Sequence, residues 1–180
     1  SGVKIVDFVA RSYSVNPRLL LALLEYRGEW LSNPYPAEEK VLYPMGIVKE
    51  GREGLLKQLL DAADALNFGY YGWKYRGTIA MTLSDGQRVL FDPMLNAGTV
   101  AVQYMLSLTA SPAQWQRDVH PSGFFQTYLS LFGDPFAGAL EPVVPPDLIQ
   151  PTLTLPFAQG EEWVFTGGPH GAYNSGSAWG

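Results

Sequence analysis

The sequence contains no cysteine and only two histidines, His120 and His170. Without thiols there is no disulfide, no thiolate nucleophile and no Cys-ligated zinc. That pattern suits a cytosolic protein and equally a secreted one that does not rely on disulfides. Long apolar runs are missing as well. The longest strongly apolar stretch, Leu19 to Leu24, falls far below the roughly 20 residues a membrane helix needs, so no membrane span is expected. Basic charge is scarce: 12 Lys and Arg stand against 17 Asp and Glu, for a net charge of -5. The basic residues form no run, and the densest local set is Lys74 with Arg76. Phosphate neutralisation therefore has no footprint, which excludes nucleic acid as the expected partner. No secretory leader is visible, and the opening Ser1-Gly2 reads like a trimmed end from which a leader could have been removed.

What is present suits one full domain with an appendage: 180 residues, 47% hydrophobic and 16% charged. Val3, Val6, Val9 and Tyr13 recur at helical spacing and predict a helix over 3–14. Asn16 is a good N-cap and Pro17 a good first helical residue, so a second helix follows from Arg18 to Trp30. It is apolar on nearly all sides and should be central. Residues 37–50 read as irregular, with Tyr43-Pro44-Met45-Gly46 as a tight segment. Leu55, Leu59, Leu60, Ala63 and Leu66 predict a third helix over 51–68. Asp85-Gly86 between two apolar runs predicts a β-hairpin. Further helices are expected over 96–108, 111–118 and 121–132. The expected fold class is mainly α, with one small hairpin. Pro135, Pro142, Pro145, Pro146, Pro151 and Pro156 then mark an extended linker, and Glu162 to Thr166 reads as strand-like.

Glu25 and Glu29 flank Arg27 near the end of the buried helix. A carboxyl there could have a raised pKa and serve as the general acid a glycosidase needs. The plainer alternative is that both acids pair with Arg27 or Lys40. Tyr70, Tyr71, Trp73 and Tyr75 alternate with Gly69, Gly72 and Gly77. They either cap the helical core or line a sugar-stacking groove, with Trp73 the expected exposed member. Asp61 and Asp64 read as solvated, and His120 as structural.

The run Val15-Asn16-Pro17-Arg18-Leu19-Leu20-Leu21-Ala22 through Trp30 resembles the opening motif of the lytic transglycosylase domain, in the lysozyme superfamily. Aligned on Ala22, that family's catalytic Glu falls on Arg27, its following Ser on Gly28 and its aromatic on Trp30. Gly46 stands in the family's "G-L-M-Q" segment. Asn96-Ala97-Gly98 matches its "Y-N-A-G" segment, with Leu95 in place of the Tyr. The resemblance implies a lysozyme-like domain over residues 3–135 that lacks its catalytic acid, because a guanidinium neither gives nor takes the required proton. It implies a groove lined by Arg27, Trp30, Tyr70, Tyr71, Trp73 and Asn96 that holds peptidoglycan glycan strands.

After a Pro-rich linker over 136–156, Thr166-Gly167-Gly168-Pro169-His170-Gly171 resembles the start of lysostaphin-type zinc metalloendopeptidases. Residues 157–180 would then be the incomplete N-terminal segment of such a domain, with His170 the first zinc ligand. One histidine cannot hold catalytic zinc, so no cofactor is expected in this chain and zinc only in a longer parent. The resulting expectation is a monomeric, non-catalytic, pseudoenzyme-like binding module of a peptidoglycan metallopeptidase, extracellular or in the cell envelope. Two alternatives stay open. One is an active glycosidase using Glu25 or Glu29. The other is a structural or regulatory domain whose groove is filled by its own side chains or by residues 142–156.

Overall fold

Twelve residues at the N-terminus place Val6, Val9 and Ala10 on one face, and these are the buried residues of α1 (Gly2–Tyr13). Ser14 stops the helix in a left-handed conformation. The computed structural model describes residues 1–138, 147–149, 151–152, 154 and 158–162. Helix α2 (Pro17–Gly28) begins as the sequence predicts: the Asn16 side chain accepts from Arg18 N at 2.9 Å, and Pro17 opens the helix. It ends two residues earlier than expected, because Glu29 turns left-handed at φ 54°.

The segment expected to be irregular holds a short helix, α3 (Glu38–Leu42). None of its residues is buried, so it leaves no apolar stripe to read. The tight segment is a turn in which Gly46 N–H donates to the Tyr43 carbonyl at 2.8 Å, with Gly46 at φ 75°. Buried Gln58 fastens the loop that follows. Its Oε1 accepts from Met45 N and Ile47 N, and its Nε2 donates to Ile47 O and Arg52 O. All four of its hydrogen-bonding positions are used.

Helix α4 (Leu55–Tyr75) corrects the expected 51–68 helix. Gly69 and Gly72 do not break it; they let other elements approach. A Cβ on Gly69 would lie 2.9 Å from Ala101 Cα, and one on Gly72 would lie 2.8 Å from Thr78 Oγ1. The hairpin forms as predicted. Strands β1 (Ala80–Thr82) and β2 (Arg88–Leu90) pair antiparallel, with Met81 opposite Val89. Asp85 Oδ1 accepts from Gln87 N at 2.9 Å, and Gly86 supplies the positive φ of the turn. Helices α5 (Ala97–Ser107), α6 (Pro112–Val119) and α7 (Phe124–Phe132) complete the domain.

The fold is mainly α with one small two-stranded antiparallel sheet. Helix α4 packs on α1 and α5, and α2 packs on α1 and α7. Leu20, Leu23, Leu59, Val100, Met105 and Leu106 form the fully buried centre. Two compact units divide the chain, Ser1–Ala139 and Leu140–Gly180. In the second, Glu161 N–H donates to the Ala158 carbonyl in a turn. Among the described residues, no helix is long and apolar enough to cross a membrane. Most of the Pro-rich segment, the strand-like run after Glu162, and His170 lie outside the described residues.

Candidate functional site

Helix α6 carries an acid where its inner face should be apolar: Trp115 and Asp118 are three residues apart and both buried. Asp118 points to α2. The Arg27 guanidinium lies 3.2 Å from Asp118 Oδ2, with the carboxylate side chain fully buried and the arginine 11% exposed. Arg27 also donates to the Leu106 carbonyl at 2.9 Å. The Tyr26 hydroxyl and Gln114 Nε2 donate to Asp118 Oδ1 at 2.7 and 2.6 Å. Oδ2 accepts no aligned hydrogen bond, so the arginine serves it by charge alone. Burial pushes the Tyr26 phenol up, helped by the bond to Asp118 and its charge and opposed by Arg27 and Arg117, to about 12. Tyr26 is therefore a neutral donor at any ordinary pH. Its ring meets Phe124 of α7 edge-on, with centroids 5.7 Å apart. Position 27 thus holds a cation locked to a partner on another helix.

Neither candidate acid joins the Arg27–Asp118 pair. Glu25 does not pair with Arg27. It accepts from Leu31 N at 2.8 Å, from Ser32 N at 3.1 Å and from the Ser32 hydroxyl. Burial alone would raise its pKa, but those donors prevail and hold it below the ordinary glutamate value. A carboxyl so held is ionised and suits capping of the 29–32 turn better than proton donation. Glu29 is exposed at the end of α2.

Trp30 is half-buried and donates Nε1–H to the Lys40 carbonyl at 2.9 Å. Its ring lies so close to Gly28 that an added Cβ would sit 2.6 Å from Trp30 Cδ1. The serine of the resembled motif has no room there. Asn96 is the N-cap of α5, with Oδ1 accepting from Thr99 N at 2.8 Å. Asp61 corrects another expectation: it is not a solvated acid but the ion-pair partner of Arg52.

The aromatic cluster stands on the last turns of α4. Trp73 is half-buried and meets Phe91 edge-on; it is not the exposed member. Tyr71 and Tyr75 are, at 45% and 70%, and their rings stack with centroids 6.1 Å apart. Lys74 Nζ sits 5.6 Å from the ring centroids of Tyr70 and Tyr75.

An open depression of about 520 Å³ lies over the Asp118 network, lined by residues that include Tyr26, Gln114, Arg117, His120 and Ser122. His120 Nδ1 lies 2.7 Å from Ser122 Oγ and accepts from Ser122 N at 3.2 Å. Among the described residues, no group of three or more His, Cys, Asp or Glu side chains could hold a metal. Sequence reading missed Asp118 and Gln58. The signal for Asp118 was present in its spacing from Trp115; a buried glutamine has none.

The LasA N-terminal domain family matches residues 3–145. Protease LasA of Pseudomonas aeruginosa strain UCBPP-PA14 is 27% identical over 93% of this chain. Protease LasA of strain PAO1 is likewise 27% identical over the same share. The chain spans 40% of the length of these relatives. No solved structure matches it. With the match running through the helices and the hairpin of the described residues, the chain belongs to the LasA N-terminal domain family.

Proposed function

We propose that residues 3–135 form a non-catalytic, lysozyme-like accessory domain of a LasA-like cell-wall protease, which binds peptidoglycan glycan strands outside the cell or in its envelope. The carrying observation is the Arg27–Asp118 pair. A cation fixed by a buried carboxylate stands where the resembled motif keeps its proton donor, and Glu25 is held ionised. Binding has a better-suited surface: Tyr71 and Tyr75 present stacked, exposed rings beside Lys74. Such rings pack against sugar faces as large apolar plates with a polar edge. In this reading the protease centre lies in the rest of a longer protein, where His170 would supply one zinc ligand.

Isothermal titration with chitotetraose tests the reading. Heat should be measurable for the wild type at millimolar sugar and should fall at least several-fold in Tyr71→Ala and Tyr75→Ala. Wall suspensions should not clear with wild type or with Arg27→Glu. Clearing that is lost in Glu25→Gln or Glu29→Gln would instead establish the glycosidase alternative.

A second reading is favoured by the same buried network. Tyr26, Arg27, Gln114 and Asp118 fill the inherited position with the domain's own side chains, as expected of a structural or regulatory domain. Absence of sugar binding, with altered activity of an attached protease, would select it.

A further inference from the structure

We propose that the depression between α2, α6 and the α6–α7 turn is a carboxylate-binding subsite, built to take the acidic peptide of a muramyl-peptide wall fragment. The inference deepens the accessory-domain reading, on which it rests for the source of the ligand; the residues themselves argue for the carboxylate.

The size is right for a small organic acid. About 520 Å³ falls within the 300 to 1,000 Å³ typical of ligand pockets, by order of magnitude. Charge is what distinguishes the place in a chain of net charge -5. No acidic side chain lines the depression. The nearby Asp118 is fully buried, neutralised by Arg27 and occupied by Tyr26 and Gln114. Its charge is spent inside the domain.

Two donors remain on the rim. Arg117 is exposed and is steadied by one bond, from a terminal nitrogen to Gln114 Oε1 at 2.6 Å. Among the described residues it has no ion-pair partner. A guanidinium carries five N–H groups in a planar fork suited to carboxylate oxygens, so most of that fork is available. His120 is the second. A backbone N–H can only donate, so Ser122 N bonded to Nδ1 identifies Nδ1 as the acceptor nitrogen. In the neutral ring the proton therefore sits on Nε2, which becomes a donor. The C-terminal carbonyls of α6 oppose an anion with about half a unit of negative charge, and one full guanidinium outweighs them.

The wall is closely packed at Gly123. A Cβ on Gly123 would sit 2.7 Å from the Asp118 carbonyl oxygen and closer still to that of Arg117. The turn bearing His120 and Ser122 is thus packed directly onto the end of α6. Tyr26 also lines the depression.

The test is an NMR and calorimetric titration of the full chain with muramyl dipeptide and with its neutral diamide. The acid should shift amides of Tyr26 and of residues 114–123 and bind at least roughly tenfold tighter than the diamide. Arg117→Gln should weaken the acid by a similar factor, and Arg117→Lys by less. His120→Asn, which keeps an acceptor for Ser122 N but removes the Nε2 donor, should also weaken it. Equal binding of acid and diamide overturns the proposal, as does an unchanged affinity in Arg117→Gln or shifts located elsewhere. Inorganic phosphate binding as tightly as muramyl dipeptide would reduce the site to a plain anion patch and also overturn it. Chitotetraose titrated into the same variants reads the aromatic face separately, so failure of one surface is distinguishable from failure of the other.

Discussion

Asp118 is the residue whose loss the domain should feel most. Burying a carboxylate is strongly unfavourable unless a cation and hydrogen bonds meet it, and removing one partner leaves the other charge stranded. Asp118→Ala and Arg27→Met should therefore each cost about 3–5 kcal/mol, read as a lowered urea midpoint at unchanged slope. The double replacement Arg27→Met with Asp118→Leu should recover part of that loss: it strands no charge, although Tyr26 and Gln114 lose the acceptor of their hydrogen bonds. If the double variant is as unstable as the sum of the singles, the pair is not the interaction that matters. Arg27→Glu should be worse than either single change and should confer no glycan cleavage, because it sets two carboxylates against each other in the core. Glu25 makes a second, pH-dependent prediction. Its folded pKa is lowered, so its contribution is fully present above the unfolded value of about 4.3. It is lost as pH falls through the folded value. The melting temperature of wild type should drop more steeply below about pH 4.5 than that of Glu25→Gln, and parallel acid limbs would show that Glu25 does not hold the 29–32 turn.

Among the elements, α4 and its contact with α5 define the interior. Gly69→Ala drives a methyl into the backbone of Ala101 and the Cβ of Tyr104 and should cost about 1–3 kcal/mol, despite alanine's higher helix propensity. Gly72→Ala meets only the Thr78 side chain, which can rotate, and should cost less; equal losses would put the effect in the helix rather than in its packing. The same glycines explain what the sequence could and could not disclose. Caps and turns are local chemistry, so Asn16-Pro17 and Asp85-Gly86 announced α2 and the hairpin directly. A glycine that breaks a helix and a glycine that admits a neighbouring helix look alike until the neighbour is known. The expected helix therefore stopped at 68, short of Tyr70 to Tyr75. Helix α3 buries nothing and so left no periodicity. At the site, a local motif singled out Arg27, as the position where the resembled family keeps its acid. Its partner was not, because Asp118 stands 92 residues from Tyr26 in sequence and only the tertiary fold, in which α6 packs on α5 and α7, brings them together.

For the molecule as a whole, the question is which part of it folds by itself. Every buried hydrophobic among the described residues lies between Val6 and Phe124, inside the compact unit Ser1–Ala139. A domain of that size is large enough to bury an independent core. Residues 1–139 expressed alone should therefore unfold in one cooperative transition, with calorimetric and van't Hoff enthalpies equal. At about 0.7 kcal/mol per residue, the transition enthalpy should be on the order of 100 kcal/mol near 60 °C. Arg27, Asp118, Tyr71 and Tyr75 all lie within this unit, so the fragment should also keep the chitotetraose affinity of the full chain. A fragment that binds hydrophobic dye and melts without a heat peak would show that its core needs chain beyond Ala139. The accessory domain would then have to be defined together with the segment that follows it, and the binding tests repeated on that longer unit.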